Sequence, residues 1–234
     1  MDTQTRHALK QDKFAQATAS GVNWLGEHRS NLVRWGIAAG VVVLLVVGVA
    51  IFRYVESNGA DLALGAALDT YNAPLAQPGA PAESGSYSSA SARAQAAHDE
   101  FQAVVQKYGW MPQGAKARYF AGVTDLDLGQ TASAEKDLKA VAGSWNRNLA
   151  NLAKLALAGL YHQSDRDAQA ITLYNEIAAK PSETVPAAMA QLDLANLYAA
   201  QGKLEQARSL WAKVKDADKE GAAGSIAAQK LAAK

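Results

Sequence analysis

Residues 35–52 carry no charge and read W-G-I-A-A-G-V-V-V-L-L-V-V-G-V-A-I-F, closed by Arg34 in front and Arg53 behind. As an α-helix this run rises roughly 27 Å, close to the hydrocarbon thickness of a bilayer. Leu32 and Val33 extend it at the front, so a transmembrane helix is expected over residues 32–54. Trp35 and Tyr54 bracket it, where amphipathic rings favour the headgroup level.

Two other structures accept an apolar run, and the residues disfavour both. A cleaved signal peptide has a shorter apolar segment near its start and a small-x-small site after it. Here 34 residues come first, and the run leads into Ile51-Phe52-Arg53-Tyr54-Val55-Glu56. A core helix of this length would show a polar stripe, and none is present.

Orientation follows from the basic residues. Arg6, Lys10, Lys13, Arg29 and Arg34 precede the run, whereas Arg53 is followed by no Lys or Arg until Arg93. Loops retained inside the cell carry the excess of Lys and Arg. The expected layout is a cytoplasmic arm at residues 1–31, one crossing of a bacterial inner membrane, and a periplasmic region at 55–234. Leu9, Phe14, Val22, Trp24 and Leu25 interleave with Lys10, Lys13 and Arg29, a mixture that suits an amphipathic helix on anionic lipid or a plain solvated arm. With only five basic residues against Asp2, Asp12 and Glu27, the arm is not expected to bind nucleic acid.

The region after the run is long enough for one domain with its own core. It is rich in Ala, Leu and Gln and poor in Val, Ile and Thr, which favours helices over strands. The chain has no cysteine, so neither a disulfide nor thiol chemistry is available. Residues 58–73 read as a first helix with Leu64, Leu68 and Tyr71 on one side, ended by Pro74. Residues 74–92 hold three prolines, two glycines and five serines without apolar periodicity, and read as a flexible insertion.

Beyond the insertion the chain repeats. Gly129, Asp165 and Gly202 stand 36 and 37 residues apart, each at an expected turn between two helices. Seven positions before each comes a small residue: Gly122, Ala158, Ala195. Five positions after comes Ala134, Ala170 or Ala207. Then follow a large residue (Leu138, Tyr174, Trp211) and an aliphatic one (Val141, Ile177, Val214). Small residues on both helices let a pair approach closely, and the large residue fills the space against the next pair. Ala97, Phe101 and Val104 continue the register backwards, with Leu64 and Leu68 ahead of the insertion. The pattern resembles the tetratricopeptide repeat (TPR). The expected fold is therefore all-α: about four helix pairs in a TPR-like solenoid, closed by a helix over 222–234 in which Ile226 and Leu231 cover the end.

Signatures of catalysis are missing from the sequence. There is no H-x-x-x-H, no G-x-S-x-G and no phosphate-cradling glycine loop. His98, Asp99 and Glu100 point to different faces of a helix and read as a solvated surface; Asp125 and Asp127 likewise diverge. No enzymatic activity, cofactor, metal or small-molecule substrate is expected. In the TPR resemblance the first helix of each pair lines a concave groove. That places Lys116, Tyr119, Val123 and Leu126 in the groove from one repeat. Leu152, Leu155, Gly159 and His162 follow from the next, then Met189, Leu192, Asn196 and Ala199. The face is mostly apolar and suits extended protein segments. Within the membrane run, Gly36, Gly40 and Gly48 share a helix face that could pack against another transmembrane helix.

The layout as a whole is similar to the YfgM-type ancillary subunits of the SecYEG translocon. The resemblance rests on a short arm, one anchor, the Phe52-Arg53-Tyr54 border, an alanine-rich helix carrying Tyr71, and TPR-like pairs. It implies a chaperone-like role without catalysis. The implied partners are secreted clients, the Sec translocon and a membrane-anchored periplasmic chaperone. A TPR scaffold for envelope assembly or cell division, without client binding, carries the same features.

Overall fold

A computed structural model describes residues 29–76 and 85–233. Among these residues every regular element is a helix, as composition suggests; the only extended pairing is a bridge between Leu75 and Tyr87. The helices are α1 (Arg29–Tyr71), α2 (Ala90–Tyr108), α3 (Pro112–Asp127), α4 (Thr131–Ala142), α5 (Arg147–Gln163), α6 (Asp167–Ala179), α7 (Ala187–Ala200), α8 (Leu204–Ala217) and α9 (Ala222–Ala232). Two compact units divide the chain between Ser57 and Asn58.

In the first unit, the helix from Arg34 is long and apolar enough to cross a membrane, and its apolar window is wholly exposed. Trp35, Leu44 and Phe52 are among its open side chains. The arm expected at 1–31 lies outside the described residues, except that α1 already begins at Arg29. The separate helix expected over 58–73 is instead the continuation of α1, which ends at Tyr71. Nothing between Phe52 and Ala60 breaks a helix: the charges of Arg53 and Glu56 change the solvent preference, not the backbone, and Gly59 costs only about 1 kcal/mol.

In the second unit, from Asn58 onward, each helix packs on its neighbours in the chain. Ala60, Leu64 and Ala67 meet Ala97, Phe101, Val104 and Ala121, and Phe101 stacks on Phe120 at 5.3 Å between ring centres. Arg93 donates to the Ala73 carbonyl at 3.0 Å, and Tyr87 donates its backbone N–H to Pro74, pinning the base of the inserted loop. The tip of that loop, 77–84, lies outside the described residues. Its far end is shorter than expected, because the Ser89 hydroxyl accepts from Ala92 N–H and starts α2 at Ala90.

The three turns fall at Gly129, Asp165 and Gly202, all with positive φ (73°, 56° and 76°). Each closes its helix in the same way. The residue after the turn donates to a carbonyl five positions back: Gln130 to Asp125 (2.8 Å), Arg166 to Tyr161 (2.7 Å), Lys203 to Tyr198 (2.9 Å). The turn residue itself donates three positions back, to Leu126, His162 and Ala199. This is the Schellman pattern, which satisfies the last carbonyls of a helix and needs a left-handed residue.

The short reversals leave α3 and α4, α5 and α6, and α7 and α8 as antiparallel hairpins. Ala134, Ala170 and Ala207 are fully buried, with Leu138, Tyr174, Trp211, Val141, Ile177 and Val214 in the core beside them. Gly122 lies against Leu138 so closely that a Cβ there would sit 2.8 Å from Leu138 Cγ. At the end of the chain α9 packs on α8 and α7. Ala227 is the residue it buries completely, while Leu231 is partly covered and Ile226 stays 41 % exposed; Ile226 therefore does not seal the end as expected.

Candidate functional site

The residues expected to line a groove have separate fates. Lys116 is exposed, and Tyr119, Val123 and Leu126 are half-buried, Tyr119 and Leu126 packing on the central cluster around Leu138, Leu157 and Tyr174. Leu152 and Leu155 cover Ile177, Val185 and Ala190. His162 Nδ1 lies 2.7 Å from Asp167 Oδ1, and Asp167 also accepts from Gln201 at 2.6 Å, so His162 belongs to a polar tie between turns. Asn196 Oδ1 accepts from Trp211 Nε1 at 3.3 Å, which commits its side chain to packing within its own hairpin. Gly159 and Ala199 are half-buried. In the first unit, nothing comes within 4 Å of where a Cβ would stand at Gly36, Gly40 or Gly48.

Met189 and Leu192 are brought together. They line a cleft of about 460 Å3 between α7 and α9, with Pro186, Ala188, Asp193, Asp218, Ala223 and Ile226 around it. Leu192 forms its buried floor, and Met189 and Ile226 stand half-open on opposite helices. Two carboxylates enter this apolar surface. Asp218 Oδ2 accepts from Gly224 N–H at 3.1 Å and so caps the first turn of α9. Among the described residues no cation pairs with Asp193, and burial pushes its pKa up. Its charge also adds to the burial that pushes the Tyr174 hydroxyl up to about 12.

The sequence pointed to Met189 and Leu192 for a groove and put Ile226 at the end of the array, but did not point to Asp193 or Asp218. A signal for Asp193 existed: nine residues before the turn, the other two repeats carry Phe120 and Ala156. A charge at an apolar register position is the mark of a site rather than of a solvated face.

The same holds at a second place. His98 is not on a solvated surface: its side chain is mostly buried, and Nε2 lies 3.0 Å from Oδ1 of the fully buried Asp125. The approach lacks hydrogen-bond alignment, and both Asp125 oxygens remain without a hydrogen bond. Burial pushes the Asp125 pKa up, helped by Asp137 and opposed by Ser133 and His98. Asp137 in turn accepts from Gln102 at 3.1 Å. Among the described residues, no three His, Cys, Asp or Glu side chains cluster as a metal site. A more open cleft of about 720 Å3 lies between the loops that carry Trp145 and Pro181.

No protein-family model matches the chain, and no curated protein or solved structure matches it.

Proposed function

We propose that this is a membrane-anchored, non-enzymatic TPR-like protein whose cleft between α7 and α9 holds an aliphatic segment of another protein carrying a lysine or arginine. The observation that carries the reading is Asp193, a carboxylate without a cation at the edge of an apolar cleft. Removing it from water is costly unless a positive group pairs with it, and a bound cation supplies one. Leu192, Met189 and Ile226 offer the adaptable apolar contact that such a segment needs.

The TPR-like solenoid is supported by three turns of one geometry and by a core register that returns every 36 or 37 residues. The anchor reading is supported by the length and exposure of the apolar helix, and a periplasmic placement by the basic residues ahead of it. Together with the resemblance to YfgM-type subunits, these features support a chaperone-like role beside the Sec translocon, receiving proteins as they cross the membrane.

Binding of fluorescent peptides to the full chain tests the cleft. A leucine-rich peptide with one central lysine should bind about tenfold more tightly than its glutamate counterpart, and Asp193→Asn should erase the difference. Equal affinity for both peptides would sink the reading. The partners are tested by purification in mild detergent after crosslinking. Recovery of translocon subunits supports the role proposed; recovery of division or cell-wall proteins alone replaces it with the scaffold role.

A further inference from the structure

Helix hairpins place their connections alternately at two ends. The turns at Gly129, Asp165 and Gly202 lie at one end of the second unit, and the loops between hairpins lie at the other. Two of those loops carry tryptophans that the core does not take in. Trp110, between α2 and α3, is 57 % exposed, and Trp145, between α4 and α5, is 93 % exposed. The Trp145 indole leaves a large apolar surface in water.

The chain enters the second unit at this same end. Gln113 at the start of α3 donates to Asp61 Oδ1 at 2.8 Å, and Gly59 lies against the Tyr108 hydroxyl, with room for no Cβ between them. Asn58 is six residues beyond Phe52, the last residue of the apolar run. Even fully extended, six residues reach no more than about 20 Å. The end that carries the tryptophans is thus the end at which the chain enters the second unit, a few residues after the apolar run.

We propose that this end of the second unit rests on the phospholipid surface, with Trp145 at the headgroup level and Trp110 beside it. Indole rings concentrate at that depth because their apolar body and N–H donor match the two sides of the boundary. Arg147 at the start of α5 and Lys180 just after α6, both exposed, add attraction to anionic headgroups. The opposite end has no exposed tryptophan among its described turns and carries Asp165, which favours water.

The proposal rests on the membrane-anchor reading, and one experiment separates the two. The chain lacks cysteine, so a nitroxide attaches at a single chosen site in full-length protein. Trp145→Cys and, at the opposite end, Gln163→Cys are labelled and assembled into nanodiscs of phosphatidylethanolamine and phosphatidylglycerol. The expected result is that the label at 145 collides several-fold more with dissolved oxygen than with a water-soluble nickel chelate, relative to the label at 163. Equal nickel access at both sites, in protein that assembles into the discs, overturns the lipid contact while leaving the anchor. Failure to assemble overturns the anchor and the contact with it. Unchanged melting temperatures of both variants establish that neither label disturbs the fold.

Discussion

His98 and Asp125 meet at the two register positions where, one repeat later, the Tyr161 hydroxyl donates to Glu135 at 3.3 Å. The first junction buries a carboxylate that accepts no well-aligned hydrogen bond; the second holds its carboxylate at the rim, bound to Arg166 at 2.8 Å and Lys139 at 2.6 Å. One pattern of backbone contacts therefore sustains opposite electrostatics, and the two junctions should respond to pH in opposite senses.

Asp125 has a folded pKa above its ordinary value, so the folded chain holds its proton more firmly than the unfolded chain. Its contribution is fully present below about pH 4 and is lost as pH rises through the raised value. Asp125→Asn should stabilise the protein by about 1 kcal/mol at pH 8, the scale of a relieved unsatisfied group, and by less at pH 4. Melting curves across pH give the comparison; a variant less stable than the parent at pH 8 would refute the account.

Glu135 behaves in reverse. Hydrogen bonds from Arg166 and Lys139 lower its pKa from the ordinary 4.5 to about 2. Its contribution is present above about pH 4.5 and disappears as pH falls towards 2. The stability gap between the parent and Glu135→Gln should close over that interval, as read by urea denaturation. A gap that persists at pH 2 would contradict it.

Gly122 and Leu138 pack closely across the α3–α4 hairpin. Gly122→Ala forces Leu138 out of place and should cost about 1–3 kcal/mol. In a Leu138→Ala background the same change should cost much less, because the crowding group is gone. Additive costs would show that the contact is not the cause.

Asp165 is the one turn residue of the three that is not glycine, at φ 56°. Asp165→Gly should raise stability by a few tenths to about 1 kcal/mol, and Gly129→Ala should lower it by about 1 kcal/mol. Thermal unfolding of both variants decides this, and a destabilised Asp165→Gly would mean that its side chain has a role beyond the turn.

The turns and the buried register were legible because each depends on local chemistry: a left-handed residue after a helix, and small residues where two backbones meet. Gly129, Gly202 and the buried alanines advertise both. The continuity of α1 into the second unit was not legible, since Arg53 to Glu56 change polarity without changing helix propensity. Side chains at shared boundaries were also misjudged. Asn196 lies on the expected face, but Trp211 reaches across and takes its oxygen. Asp125 stands where Tyr161 and Tyr198 stand in the later repeats, and His98 precedes it by the interval that separates Glu135 from Tyr161 almost unchanged. Asp125 and Asp193 are each the residue that breaks the register the other repeats keep.

In the second unit, substantial contacts reach no farther along the chain than the next helix but one. Such a domain has little need for its last residues in order to arrange its first. Made from its N-terminus, it can close each hairpin as the second helix emerges, so apolar surface waits only for the next 30 or so residues of sequence, roughly one repeat. Little of the chain's apolar surface is therefore left waiting for residues far down the sequence.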